Sequence, residues 1–272
     1  MARMISLAAG VLPEFLPEVV VDSAIAARFP AVGLRIDGQQ WPDERVHALR
    51  SKIESARLTL LDVEVVWIRP GPADESLLKL VSIAARLGAQ NLLVVSSDPN
   101  HEATAAKLGA ICNHAAESGL SVSLEFGHFS AVQSLDQAAS IVARANCTNA
   151  YVLVDPLHLS RNGASPSDVA HHARGLFRYA QFCDADADAP DSADLVAIRE
   201  EALDGRLLLG EGILPLTELL MALPANLPLS IELRSKALRE KWPDPADRAR
   251  FLREQTETWL HSNDPEQTLA AR

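Results

Sequence analysis

Short apolar runs alternate with longer stretches of helical periodicity along nearly the whole chain. The runs MISLAAG (4–10), AVGLRID (31–37), LTLLDVEVVWI (58–68), NLLVVSS (91–97), SVSLEF (121–126), AYVLVDP (150–156), LFRYAQFCD (176–184) and LSIELRS (229–235) have the length and composition of buried strands. Between them, segments such as 74–89, 102–119 and 214–223 repeat apolar residues at helical spacing. Gly88 and Gly119 follow such segments and read as helix C-caps. About eight strand–helix alternations without a break in composition predict an α/β fold, a single (β/α)8 TIM barrel over 1–262 with a frayed tail over 263–272. A doubly wound open sheet is the alternative, but no glycine-rich phosphate fingerprint follows the first strand. The least regular stretch is 185–212. Its acidic DADADAPDSAD reads as a loop after strand seven, on the face where barrels carry their active sites.

Strand parity then says which side chains point into the barrel. In strand five Ser121, Ser123 and Glu125 share a face opposite Val122, Leu124 and Phe126. In strand eight Ser230, Glu232 and Arg234 share one; in strands six and seven Asp155 aligns with Tyr151 and Leu153, and Gln181 with Tyr179 and Cys183. Arg35, Asp37, Asp62 and Glu64 are further polar positions on strands two and three, with Arg35 and Glu64 expected to pair across neighbouring strands. Glu125, Asp155, Gln181 and Glu232 each stand near the C-terminal end of their own apolar run. A buried polar group is costly unless it is paired or binds a metal. Any one of them reads equally well as an interior group satisfied by a neighbour, but four at matching strand ends point to one shared site. Oxygen ligands of this kind suit a hard divalent cation, Mg²⁺ or Mn²⁺.

Around that set, Arg234 either holds an anionic group of a substrate or braces Glu232. His128 after strand five, and Trp67 with Arg69 after strand three, lie on rim loops and are candidates for lining a substrate pocket. His171 and His172 read as solvated, and Glu211 as local support for its own turn.

Composition narrows the function classes. A chain of 272 residues, 48% hydrophobic and 22% charged, is ordinary for one globular barrel. Its net charge of −11 opposes nucleic-acid binding. Cys112, Cys147 and Cys183 form no CxxC pair, which suits a reducing, cytoplasmic setting. Pro13, Glu14 and Pro17 interrupt the N-terminal apolar patch too early for a signal peptide, and no apolar run is long enough to span a membrane.

Glu125 in SLEF, the run Asp155-Pro-Leu-His158, Gln181-Phe-Cys-Asp184-Ala, the turn Gly210-Glu211-Gly212 and Glu232 in SIELR together resemble the sugar phosphate isomerase/epimerase family, the xylose-isomerase-like TIM barrels. The resemblance spans nearly the whole chain in order and spacing. It implies that Glu125, Asp155, Gln181 and Glu232 ligate one divalent ion, Mn²⁺ or Mg²⁺, and that His158 sits beside it against the substrate. Sugar epimerases of the family carry His where this chain has Gln181, whereas Gln occurs in members resembling hydroxypyruvate isomerases. An amide oxygen keeps the site charge and disfavours softer metals such as Zn²⁺.

The implied chemistry is proton transfer next to a carbonyl, with Glu125 and Glu232 as acid and base and a small sugar, polyol or hydroxy-keto acid as substrate. The same site eliminates water when a hydroxyl lies β to the carbanion, as in family members resembling inosose and dehydroshikimate dehydratases. Phosphodiester cleavage, as in endonuclease IV barrels, needs more His ligands than the strand ends carry. A non-catalytic accessory barrel is opposed by the complete ligand set. The chain is short of the extra helices of large xylose isomerases, so a monomer or homodimer is expected.

Overall fold

Strands buried on both faces can be continuously apolar, and these runs close on themselves because helices cover the outside and side chains fill the inside. A computed structural model describes residues 3–37 and 41–264. The strands are β1 (Ile5–Leu7), β2 (Ala31–Arg35), β3 (Thr59–Ile68), β4 (Asn91–Ser96), β5 (Ser121–Glu125), β6 (Ala150–Val154), β7 (Phe177–Phe182) and β8 (Leu229–Ile231), each inside its predicted run. They pair in parallel, in sequence order, into a closed barrel, with β1 against β8 through Ser6 opposite Ser230. The fold is therefore a single (β/α)8 TIM barrel.

The helices are α1 (Pro17–Ala26), α2 (Asp43–Ser55), α3 (Glu75–Leu87), α4 (His101–Ala116), α5 (Leu135–Ala145), α6 (Pro156–Arg161), α7 (Pro166–His171), α8 (Leu195–Asp204), α9 (Leu216–Ala222), α10 (Lys236–Lys241) and α11 (Pro245–Asn263). Several of their starts are set by side-chain caps. Asn100 accepts from the N–H groups of Glu102 and Ala103, and Ser134 from that of Gln137. Gly88 closes α3 in the left-handed region at φ 85°. Gly119 is also left-handed, but Glu117 is the capping residue of α4.

The main apolar core fills the shell between sheet and helices, with Leu34, Val63, Leu92, Leu124, Val152 and Phe182 essentially inaccessible. Truncating one such leucine to Ala would cost about 2–5 kcal/mol. A second, smaller cluster inside the barrel, including Leu61, Leu93, Leu153 and Tyr179, plugs it beneath the C-terminal mouth. Register shifts at Val32/Gly33 and between Val63 and Val66 interrupt β3 on both sides.

Three sequence expectations change. The stretch 185–212 contains α8, whose N-cap Asp194 accepts from the N–H groups of Val196 and Ala197. Only Ile198 and Ala202 of that helix are buried, so its apolar stripe is too narrow to stand out from the acidic segment before it. His172 is half-buried, 3.1 Å from the carboxylate of Asp136, instead of solvated. At the C-terminus, α11 continues to Asn263. Asp264 is buried against Arg3, which also donates to the carbonyls of Pro224 and Leu227. The rest of the expected frayed tail, 265–272, lies outside the described residues.

Candidate active site

Glu125, Asp155, Gln181 and Glu232 stand at the C-terminal mouth of the barrel. Glu125 is the last residue of β5, Gln181 lies in β7, and Asp155 and Glu232 directly follow β6 and β8. Glu125, His158, Gln181 and Glu232 line one cavity of about 620 Å³, with Asp155 fully buried behind it. Ligand atoms of Glu125, Asp155 and His158 all lie within 4.8 Å of one another.

The run Asp155-Pro-Leu-His158 builds this corner by helix capping. Asp155 is the N-cap of α6 and accepts from the Leu157 N–H at 2.8 Å, and Pro156 fills the first helical position, where a missing N–H is harmless. The helical turn brings His158 back over the mouth. Phe129 packs on the His158 ring at 4.8 Å between centroids, and Trp67 meets Phe129 edge-on at 6.3 Å. Trp67, Phe129 and His158 thus form one aromatic wall of the cavity.

Opposite them, Arg234 donates from Nε to Glu232 Oε1 at 2.8 Å and from Nη2 to Glu64 Oε1 at 3.4 Å. It braces two carboxylates and also lines the cavity. The expected partnership of Arg35 with Glu64 is kept only as an effect of charge. The two are in register, but it is Arg234 that bonds Glu64. Gly10 makes room for this pair, since a Cβ there would run into Glu232 and Arg234.

His128 goes elsewhere. Its Nε2 lies 2.8 Å from the Arg161 carbonyl oxygen, and it borders a separate cavity of about 110 Å³. Glu211 is exposed, and Asp184 holds the turn that it was expected to support. Asp184 accepts from the N–H groups of Ala185, Gly210 and Leu214. At Gly212 any Cβ would collide with the Ala185 carbonyl, so this close approach requires glycine.

Arg206 is the principal residue that the sequence did not reveal. It is buried after α8 and donates from Nη1 to Asp155 Oδ2 at 2.5 Å and to Cys183 Sγ at 3.0 Å. Its Nη2 lies 3.5 Å from His158 Nε2. Strand parity cannot reach a loop residue, and its only signal is an arginine set against the apolar run LLL.

The electrostatics follow from this packing. Burial pushes the Glu125 carboxyl well above the usual range, and Asp155 beside it adds to the effect. Burial would raise Asp155 as well, but the Arg206 guanidinium and His158 hold it below its ordinary value. Burial lowers His158 to about 4, so its imidazole is neutral at pH 7. Burial and the Glu232 charge raise Glu64 to about 7 against the pull of Arg234. Five buried carboxyl groups, Asp62, Glu64, Glu125, Asp155 and Glu232, thus face two buried or half-buried guanidinium groups, Arg206 and Arg234. Glu232 Oε2 is buried without a hydrogen-bond partner. Carboxylates, a neutral imidazole, an amide oxygen and a shortage of positive charge fit a divalent cation.

A pH test follows for Glu64. A raised folded pKa stabilises the fold fully below the unfolded value near 4.5, and that contribution is lost as pH rises through about 7. With divalent ions chelated, Glu64→Gln should therefore match wild type most closely near pH 4.5. It should gain on wild type by roughly 1–3 kcal/mol by pH 8. Denaturant titrations of both proteins across this range check it, and a difference independent of pH would refute the assignment.

The fold has known counterparts. The chain resembles a xylose isomerase-like TIM barrel/4-hydroxyphenylpyruvate dioxygenase fusion protein at 20% identity and a TM-score of 0.74, over 97% of this chain and 45% of that one. It spans less than half the length of that fusion. It also resembles a zinc-bound IolI protein (14% identity, TM-score 0.79, 96% of this chain and 99% of that one) and an L-ribulose 3-epimerase (16% identity, TM-score 0.72, 100% and 99%). No curated protein is significantly similar to it in sequence. No helix among the described residues is long and apolar enough to cross a membrane, and the cysteines are free thiols. The family model for the xylose isomerase-like TIM barrel matches residues 23–255, nearly all of the barrel from α1 to α11, and the chain belongs to that family.

Proposed function

We propose that this protein is a divalent-metal-dependent isomerase or epimerase that moves a proton next to the carbonyl of a small sugar, polyol or hydroxy-keto acid. Glu125, Asp155, Gln181 and Glu232 would hold one ion, Mn²⁺ or Mg²⁺. When bound, the ion supplies Lewis-acid polarisation of the substrate carbonyl.

The observation that carries the reading is the pair of carboxyl groups with opposed surroundings. Glu232, braced at Oε1 by Arg234, keeps Oε2 unpartnered and buried at the cavity. Glu125, at the same cavity, has its pKa pushed far up by burial and by Asp155. A bound ion would draw the Glu125 carboxyl back toward its carboxylate form, and one of the two groups could then take the proton while the other returns it. Neutral His158, packed on Phe129, suits a hydrogen bond to a substrate hydroxyl, and the Trp67–Phe129 wall offers apolar surface to the substrate carbons. The structural likeness to an L-ribulose 3-epimerase supports the same class.

The test is solvent deuterium incorporation into ketoses, hydroxypyruvate and keto-inositols. Exchange should occur with Mn²⁺ or Mg²⁺, stop on chelation and return on adding the ion back. Appearance of an absorbing enone would assign the dehydratase alternative. No exchange into any of these compounds with the ion present would overturn the proton-transfer reading.

A further inference from the structure

The cavity mouth carries a charge opposite to that of the molecule as a whole. The chain has a net charge of −11 and 36 acidic residues. Arginines such as Arg45, Arg86, Arg144 and Arg161 find carboxylate partners. Arg35, at the end of β2, and Arg69, just beyond β3, feel carboxylates through charge alone, Arg35 that of Glu64 and Arg69 that of exposed Asp74. Among the described residues neither guanidinium makes an ion pair, and both are exposed. Arg199 on α8, also at the rim and exposed, is a third such group.

Arg35 and Arg69 stand where two cavities meet. They line both the 620 Å³ cavity of the candidate site and an adjoining one of about 420 Å³ over β1–β3, which also share Trp67 and Arg234. The outer cavity contains one carboxylate, Asp37, whose charge acts on Arg45. Arg234 is already committed to Glu232 and Glu64, so the guanidinium groups free to bind lie outside it. Unpaired guanidinium groups at the lip of a concave site raise the local concentration of anions, and a planar fork suits phosphate or carboxylate.

We propose that the substrate carries an anionic group, a phosphate ester or a carboxylate, held by Arg35 and Arg69 at the junction of the two cavities while its carbonyl end lies at Glu125 and Glu232. The subsite rests on the reading of the inner cavity as a carbonyl site, and it makes the substrate a sugar phosphate or a sugar or keto acid instead of a neutral sugar. The net negative charge of the chain repels anionic polymers, so a small anion that fits between the cavities is selected.

The test measures binding, independent of turnover, by calorimetry on the full chain at fixed ionic strength, with Mg²⁺ and again after chelation. The probes are two matched pairs: D-ribulose 5-phosphate against D-ribulose, and hydroxypyruvate against dihydroxyacetone. In at least one pair the anion should bind about tenfold or more tighter than its neutral partner, with and without Mg²⁺. The pair that shows it distinguishes phosphate from carboxylate. Arg35→Met and Arg69→Met, both at exposed positions that leave the fold intact, should each reduce that preference several-fold. The proposal is overturned if neither anion is preferred or none of the probes binds. It is overturned as well if the preference disappears on chelation, which would place the anion on the ion, or survives both substitutions. Anion preference without deuterium exchange would reject the isomerase reading and leave the subsite standing.

Discussion

Glu232→Gln should lower the rate of solvent deuterium exchange by about 10²–10⁴-fold, the range that a positioned general acid or base supplies. The fold should survive. The amide keeps the volume of the carboxylate, and its oxygen can still accept from Arg234 Nε, now 2.8 Å from Oε1. What disappears is the unpartnered carboxylate Oε2 at the cavity. Glu125→Gln should cause a loss of similar size with a different signature. Glu125 is buried with a strongly raised pKa, so an amide resembles its protonated form, and the variant should be at least as stable as wild type in the absence of divalent ions. Both variants also lose a candidate metal ligand, so exchange is measured at saturating Mn²⁺, with ion occupancy followed by its paramagnetic signal. Near-wild-type exchange in both variants at full occupancy would remove these carboxylates from the chemistry.

What the sequence could reveal was whatever obeys a period. Apolar runs located all eight strands, and the parity of β5, β7 and β8 put Glu125, Gln181 and Glu232 toward the mouth, because regular strands alternate strictly. Asp155 was legible through the same rule and through its motif. Parity fails where the backbone does. On β3 the register shifts place Leu61 as well as Asp62 within the barrel, a neighbouring pair that strict alternation forbids. Loops have no period. Of two neighbouring residues after β5, the conspicuous His128 turns to the Arg161 carbonyl, while the plainer Phe129 packs against His158 in the cavity. Glu211 drew notice because a charge in a turn suggests capping. Asp184 does that work from a different element, through backbone contacts that only the folded chain brings together. Arg206 is the extreme case. It joins the site through a partner, Asp155, that is 51 residues away in the chain.

Arg206 therefore carries the other large expected effect. Arg206→Met keeps the hydrophobic stem but leaves Asp155 buried without its counter-charge. Breaking one side of a buried pair costs about 3–5 kcal/mol, so the chelated variant should melt roughly 6–20 °C below wild type near neutral pH. The sign with pH is fixed by Asp155. Its folded pKa lies below the ordinary value, so the pair stabilises above pH 3.8 and its contribution fades as pH falls through the folded value. The gap between variant and wild type should accordingly narrow as pH falls below 3.8. A divalent ion should narrow it at neutral pH as well. With the guanidinium gone, Asp155 Oδ2 is open to the ion, and ligand binding to the folded state alone adds stability by mass action. Mn²⁺ should thus raise the melting temperature of the variant more than that of wild type. A variant as stable as wild type without ions would mean that the pair adds nothing. A deficit that Mn²⁺ leaves unchanged would mean that Asp155 serves Arg206 and α6 alone, and the ion would have to be held by Glu125, Gln181 and Glu232 without it.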